Sequence, residues 1–190
     1  MHSVFVTTKL RFINDLLGQL REREQVAAVC YRIRKLKIEF LLVRTRKGRW
    51  TFPKGGVVRG LSRAQSAALE AFEEGGVQGR IEQASFTSYV LSKGRSSQPA
   101  QAVEAYLCEV QRLGTPEEAG RTPTWFSAET AQSCFQEGRS TQDANELGRV
   151  VVRALARIER RNERNGNRNR RNIDPLEKVH FGATEKEQLV

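Results

Sequence analysis

The stretch Phe52–Val77, FPKGGVVRGLSRAQSAALEAFEEGGV, decides how the chain is read. It opens on a Pro-Lys-Gly-Gly loop, continues as a helix-like run and closes with Glu70, Glu73 and Glu74 near one another. Ser62 followed by Gln65 fits a capping box, which starts a helix there, and Gly75 or Gly76 supplies the stop. The three glutamates are related by i, i+3 and i+4, so they share one face. Ala68 and Phe72 lie on the opposite face, which is expected to meet a core. Like charges at this spacing oppose each other by roughly a few tenths of a kcal/mol per pair. They also stand toward the helix C-terminus, where the macrodipole disfavours anions. A divalent cation would reverse both penalties, and ligation by oxygen alone suits Mg²⁺ or Mn²⁺. The bland alternative is a solvated acidic face. Gly55 and Gly56 weigh against it, because glycine permits a close approach of backbone to a ligand. A glycine-turned loop delivering carbonyls beside three carboxylates reads as a metal–phosphate site.

Outward from this stretch, QVAAVCYRIR from Gln25 and KIEFLLVRTR from Lys37 are rich in β-formers and predict two strands, with Lys35–Lys37 at the turn. RWTFP is a short strand that Pro53 ends. RIEQASFTSYVLSK and AQAVEAYLCEVQ predict a further strand pair, joined by the polar loop GRSSQP. TWF ends another strand, Ser127 caps a short helix through about Phe135, and a last helix runs from near Asp143 to about Glu163. Thr8–Arg23 has helical spacing of Leu10, Ile13, Leu16, Leu17 and Leu20. The alternation gives a mixed sheet with helices on both faces. The expected organisation is an N-terminal amphipathic helix over residues 1–24, a domain over 25–162 and a basic tail over 163–190. The run RNERNGNRNRRN supplies no core, so disorder is the expectation there.

Composition narrows the chemistry. Cys30, Cys108 and Cys134 are far apart and odd in number, so they read as buried reduced thiols rather than a metal or disulfide framework. His2 and His180 stand near the two ends of the 190 residues, which excludes a histidine-based centre in the core. Acid–base chemistry therefore falls to carboxylates, lysines or tyrosines. No apolar run approaches a membrane span, and the start lacks a long apolar segment with a cleavage site, so a cytoplasmic location without membrane attachment is expected. The net charge is +10, and Arg149 to Asn172 holds nine arginines against Glu159 and Glu163, a local net of +7 (nine minus two). Such a charge attracts polyanions.

The central stretch resembles the Nudix box, G-x5-E-x7-R-E-U-x-E-E-x-G-U, where U is a bulky aliphatic. Gly55 takes the first glycine, Glu70 the R-E glutamate, Glu73 and Glu74 the E-E pair, and Gly76 and Val77 the closing pair. QVAAVCYR, FLLVRTRKGRWTFPKGG and TWFSAETA are similar to segments around the box in that family, so the resemblance covers roughly Gln25 to Phe135. It implies an α/β/α sandwich that hydrolyses a nucleoside diphosphate linked to another moiety, or a related pyrophosphate. It also implies that Glu70, Glu73 and Glu74, with the Lys54 backbone carbonyl, hold Mg²⁺ or Mn²⁺, whose bound water attacks phosphorus. Glu74 is the first candidate for the base, with Glu117 or Glu118 as distal candidates. Glu104 is a further candidate, although it reads first as a strand residue on an exposed face. Two positions depart from the pattern: Leu61 stands where the first box glutamate is expected, and Leu69 where an arginine would orient the carboxylates.

RWTFPKGG, AAVCYR and Arg121–Phe126 resemble the branch acting on diphosphoinositol polyphosphates and diadenosine polyphosphates. Arg32, Arg46, Arg49 and Lys54 fall where that branch binds crowded phosphates, arginine by paired hydrogen bonds and lysine as a point charge. Trp50 and Trp125 read as packing residues. Two alternatives stay open. Leu69 fits a weakened, ligand-binding relative. The basic tail fits an RNA 5′-end pyrophosphohydrolase that holds RNA electrostatically, although it lacks aromatics for stacking.

Overall fold

The computed structural model describes residues 24–92 and 101–173. The expected helix over Thr8–Arg23 and the GRSSQP loop lie outside them. Among the described residues, eight strands and three helices follow one another as β1 (Gln25–Arg34), β2 (Lys37–Arg44), β3 (Trp50–Thr51), β4 (Lys54–Gly56), α1 (Arg63–Gly75), β5 (Val77–Ile81), β6 (Thr87–Leu91), β7 (Gln101–Leu113), β8 (Thr124–Ser127), α2 (Ala128–Phe135) and α3 (Thr141–Ile173). The strands form one mixed sheet with the central order β3-β2-β1-β7-β5. β1 and β7 run parallel, in register from Gln25 opposite Val103 to Tyr31 opposite Glu109. The other pairings are antiparallel.

β1 is closed off on both faces, as a central strand between helical layers must be. Val26, Ala28 and Cys30 point to one side, where they pack with Ala64, Ala67 and Ala71 of α1. Ala27, Val29 and Tyr31 alternate to the other side and are equally inaccessible. α3 covers that second side: Arg153 donates to the Thr87 hydroxyl. Thr87 stands opposite Ala105, which is itself opposite Ala27. The three cysteines are buried and free, in keeping with their reading as reduced thiols. Trp50 packs edge-on against Phe126 at 5.0 Å.

Three elements differ from the sequence expectation. RIEQASFTSYVLSK is two strands, β5 and β6, each pairing a different half of the 13-residue β7. The Pro-Lys-Gly-Gly loop is a strand, β4. The last helix, α3, continues ten residues past Glu163 to Ile173. The run RNERNGNRNRRN lacks core-forming residues, but arginine is itself a strong helix former. Extending an existing helix also needs no new nucleus. The chain divides inside α3 into two compact units, Met1–Leu155 and Ala156–Val190. The second is this helical continuation with its arginines, and the residues past 173 lie outside those described. Among the described residues no helix is long and apolar enough to cross a membrane.

The β1–β2 turn is made by Lys35 and Leu36 with φ of 49° and 62°. This is the two-residue hairpin geometry that normally selects Asn-Gly. Leu36 is 98 % exposed, so its side chain gains nothing from packing. Leu36→Gly relieves about 1–2 kcal/mol of left-handed strain against about 0.5–1 kcal/mol from a looser unfolded chain. The net gain of about 0.5–1 kcal/mol should raise Tm by about 1–4 °C in thermal denaturation. An unchanged or lower Tm would show that the turn stores no strain.

Candidate active site

α1 starts as its sequence requires. The Ser62 hydroxyl accepts from the Gln65 N–H at 3.1 Å, and the Gln65 side chain accepts from the Ser62 N–H at 2.8 Å. It stops at Gly76, whose φ of 64° is left-handed and whose N–H reaches the Phe72 carbonyl at 2.9 Å. A Cβ on Gly76 would also lie 2.6 Å from the Pro116 nitrogen, so glycine is required there on two counts. The expected core face is corrected by one position. Ala64, Ala67 and Ala71 are buried, whereas Ala68 and Phe72 are only half-buried. Glu74 follows Ala67 and Ala71 on the same stripe and is therefore buried, its side chain 4 % exposed. Glu70 and Glu73 are half-buried beside it.

β4 brings the chain back against these carboxylates. Ala27, Val26 and Gln25 of β1 stand opposite Lys54, Gly55 and Gly56. A Cβ on Gly55 would lie 1.8 Å from Glu70 Oε1, so no side chain can stand between strand and carboxylate. The Lys54 N–H donates to Glu74 Oε2 at 3.1 Å. The segment between β7 and β8 closes the helix end: the Gly114 N–H donates to the Gly76 carbonyl at 2.6 Å, and the Glu118 N–H to the Glu73 carbonyl at 2.9 Å. Arg121 then reaches inward, with Nη2 2.6 Å from Glu74 Oε1 and 2.6 Å from Glu118 Oε2. Of the two distal acids, Glu118 is joined to the cluster, while Glu117 is exposed beside it. Glu104 is half-buried rather than exposed. It accepts from the Tyr106 hydroxyl at 2.6 Å and pairs with Arg63 at the far end of α1.

The four expected phosphate-binding cations part company. Lys54 is half-buried next to Glu74 and Glu70. Arg49 is half-buried next to Arg139, whose guanidinium donates to the Trp50 carbonyl. Arg32 instead pairs with Glu39 at 2.6 Å and lies 4.1 Å over Trp125, and Arg46 is exposed in the β2–β3 turn. Arg121, Arg139 and Tyr89 escaped the sequence reading as site residues. Arg121 was legible only as part of the R-x-x-x-W-F resemblance, and Arg139 sits in a turn with no pattern. Tyr89 is buried, with only its place in a strand to mark it.

Desolvation governs the charges. Burial, then repulsion from Glu74 and Glu73, pushes the Glu70 carboxyl from its ordinary 4.5 up to about 7. Burial also raises Glu74, opposed by the Lys54 N–H and the Arg121 charge. Lys54 is lowered by burial, against the pull of Glu74 and Glu70. Arg139 is lowered by burial and by Arg49, and the Tyr89 hydroxyl is raised by burial. The Nε atoms of Arg49 and Arg139, the Thr51 hydroxyl and the Tyr89 hydroxyl are buried without hydrogen-bond partners. Groups of this kind are rare in folded proteins unless water or a ligand completes them.

Among the described residues no three Asp, Glu, His or Cys side chains converge into a ready-made metal cage. The donor set nonetheless fits a hard cation. Glu70, Glu73 and Glu74 offer oxygen only, and the close Gly55–Glu70 approach keeps side chains out of the gap. Mg²⁺ is ordinarily held by one or two carboxylates, with waters and substrate phosphates completing the shell.

Comparison with known proteins identifies the family and the fold. A family model described as NUDIX domain matches residues 23–165. Among solved structures, the Ap4A hydrolase of C. elegans is similar at 23% identity and a TM-score of 0.53, covering 71% of this chain and 96% of its own. The NUDIX domain of Shewanella oneidensis NrtR, in complex with ADP ribose, is similar at 15% identity and a TM-score of 0.54, covering 70% and 86%. At these identities the likeness is one of fold.

A carboxyl at 4.5 in the unfolded chain and about 7 in the folded one binds its proton more tightly when folded. Between those values the folded state keeps a proton that the unfolded state has lost, so stability falls as pH rises through the window. In EDTA, Tm should therefore decline from pH 5 to pH 8, and Glu70→Gln should make the decline shallower. A Tm that rises across the window, or an unchanged slope in Glu70→Gln, would contradict the assignment.

Proposed function

The chain belongs to the Nudix family of pyrophosphohydrolases, and from that premise we propose that it cleaves a pyrophosphate bond in a small, densely phosphorylated substrate, a diphosphoinositol polyphosphate or a dinucleoside polyphosphate, in the cytoplasm. One observation carries the reading. Lys54, desolvated by burial, adjoins Glu74 and Glu70, the Arg139 charge is near enough to act on it and Arg49 stands next to Arg139, while the buried Nε donors of Arg49 and Arg139 and the Tyr89 hydroxyl face no protein acceptor. Such a set suits a ligand with several phosphates, since each guanidinium can take two phosphate oxygens.

Glu70, Glu73 and Glu74 would hold Mg²⁺ or Mn²⁺, and the Lys54 carbonyl is a further donor. In an extended strand a residue's C=O points to the same side as its N–H, and that of Lys54 is aimed at Glu74. A cation held there would supply an acidified water and neutralise charge on the phosphates. Lys54, Arg49 and Arg139 bind the substrate phosphates, and the Tyr89 hydroxyl donates to a phosphate oxygen. Glu74 takes the proton of the attacking water, with Glu118 as the distal alternative. Burial excludes bulk water from Glu74 and Tyr89.

Product release is to be followed with and without Mg²⁺ on diadenosine polyphosphates, an inositol pyrophosphate, nucleoside triphosphates, ADP-ribose and 5′-triphosphate RNA. Metal-dependent turnover of the first two is expected, with Glu74→Gln lowering kcat about 10²–10⁴-fold as loss of general-base catalysis does. Silence across the panel with thermal stabilisation by one member would instead establish a ligand-binding relative. Turnover confined to RNA, weakened by salt and by truncation after Ile158, would favour the 5′-end reading.

Arg49→Ala and Arg139→Ala should each raise KM about tenfold or more, from roughly 1.5–3 kcal/mol per charge-assisted hydrogen bond. Arg32→Ala and Arg46→Ala should change KM less than twofold. Equal effects at all four positions would return the phosphate site to the outer surface of the sheet.

A further inference from the structure

α1 holds its carboxylates with no cation of its own nearby. Its one basic residue is Arg63, in the first turn, where it pairs with Glu24 at 2.8 Å and Glu104 at 3.4 Å. The last turn contains none. Leu69, one turn ahead of Glu73, is apolar. Three like charges therefore meet at the end of the helix where the dipole also opposes them. The compensating cation comes from elsewhere in the chain.

We propose that Arg121 is the positioning residue of this site: it orients the Glu74 carboxylate from the β7–β8 segment, in place of a cation on α1. This rests on the reading of Glu74 as part of the pyrophosphatase machinery. The two Glu74 oxygens are held separately, Oε2 by the Lys54 N–H at 3.1 Å and Oε1 by Arg121 Nη2 at 2.6 Å. Two fixed donors on one carboxylate leave its plane no freedom to turn. Arg121 is fixed in turn. Its side chain is 18 % exposed, its Nε donates to Glu118 Oε2 at 2.8 Å, and its carbonyl accepts from the Arg44 N–H at 2.5 Å. Thr122 follows with a φ of 48°, a left-handed conformation for a β-branched residue. The chain accepts that strain where it turns from Arg121 into β8. Glu118, held on the same guanidinium, is docked through its N–H on the Glu73 carbonyl. The segment thus grips the helix end at its backbone and at a functional carboxylate.

Arg121→Ala, Arg121→Lys, Leu69→Arg and the double variant Leu69→Arg/Arg121→Ala test this, each checked for a cooperative melt. Two readouts are needed. One is steady-state kinetics on whichever panel member turns over, at varied Mg²⁺. The other is Mn²⁺ binding to the metal-free protein by electron paramagnetic resonance, which needs no activity. Arg121→Ala should lower kcat and weaken Mn²⁺ binding about ten- to a hundredfold, as loss of a ligand-orienting partner does. KM should stay within about twofold, a range small beside the tenfold that 1.4 kcal/mol produces. Arg121→Lys and the double variant should each recover part of both losses. Unchanged kcat and Mn²⁺ affinity in a folded Arg121→Ala would overturn the proposal. So would a loss confined to KM, which would make Arg121 a substrate contact, or tighter Mn²⁺ binding, which would make it a competitor for the site. A wild-type protein inert on the whole panel would count against the hydrolase reading, while the Mn²⁺ titration would still decide the role of Arg121.

Discussion

Two carboxylates of like charge, Glu70 and Glu74, are drawn out of water at the end of a helix whose dipole opposes them, and the surrounding structure is arranged about that constraint. Desolvation, then repulsion from Glu74 and Glu73, drives Glu70 up to about 7. Nothing local to α1 relieves this. Relief comes from β4, which lays its backbone against Glu74, and from Arg121 in the β7–β8 segment. The strand can come so close only because Gly55 has no side chain to meet Glu70. The segment after β7 can come so close only because Gly76 has none to meet Pro116. Both glycines are thus spacing devices for the same pair of acids.

The opposite wall of the site carries a matching tension. Lys54 and Arg139 are partly desolvated, Arg49 stands next to Arg139, and the Nε atoms of the two arginines meet no protein acceptor. A folded chain gains no stability from such an arrangement, since unsatisfied buried donors cost about 1–3 kcal/mol each. Glu74 is answered by Arg121 and the Lys54 N–H, whereas the Nε donors of Arg49 and Arg139 are answered by nothing in the protein, an imbalance that the metal and polyphosphate proposed for the site would redress. Its internal tensions are what the bound state would remove. Proteins commonly place strain of this kind at functional sites and offset it in the rest of the fold. Here the offset is the two-sided core around β1, buried on both faces by α1 and by the first part of α3.

Legibility followed range along the chain. The capping box of Ser62 and Gln65, the glycine stop and the one-face spacing of the glutamates rest on residues within a few positions of each other, and all were readable. Strands β1, β2 and β7 were readable from their runs of β-formers. β4 was not, because two glycines and a lysine carry no strand signal and the partner strand imposes the pairing. The composition past Glu163 shows the absence of a core but does not set the extent of α3, because helix propensity is local and packing is not. Arg32 and Arg46 looked equivalent to Arg49 in a list of basic residues. The fold separates them by engaging one with Glu39 and Trp125 and exposing the other.

The sequence by itself determined that a capped helix would carry three acids on one face after a glycine pair, in a mixed α/β domain. Side-chain spacing and cap chemistry act over single turns, and no tertiary contact can easily overrule them. Only the tertiary structure decided which acid is buried, which cations stand beside it and what holds it still. Glu74 meets Lys54 across 20 residues and Arg121 across 47 (121 minus 74), and Arg139 meets Trp50 across 89. Contacts over such distances depend on how the sheet is ordered and closed, and no local spacing rule encodes them.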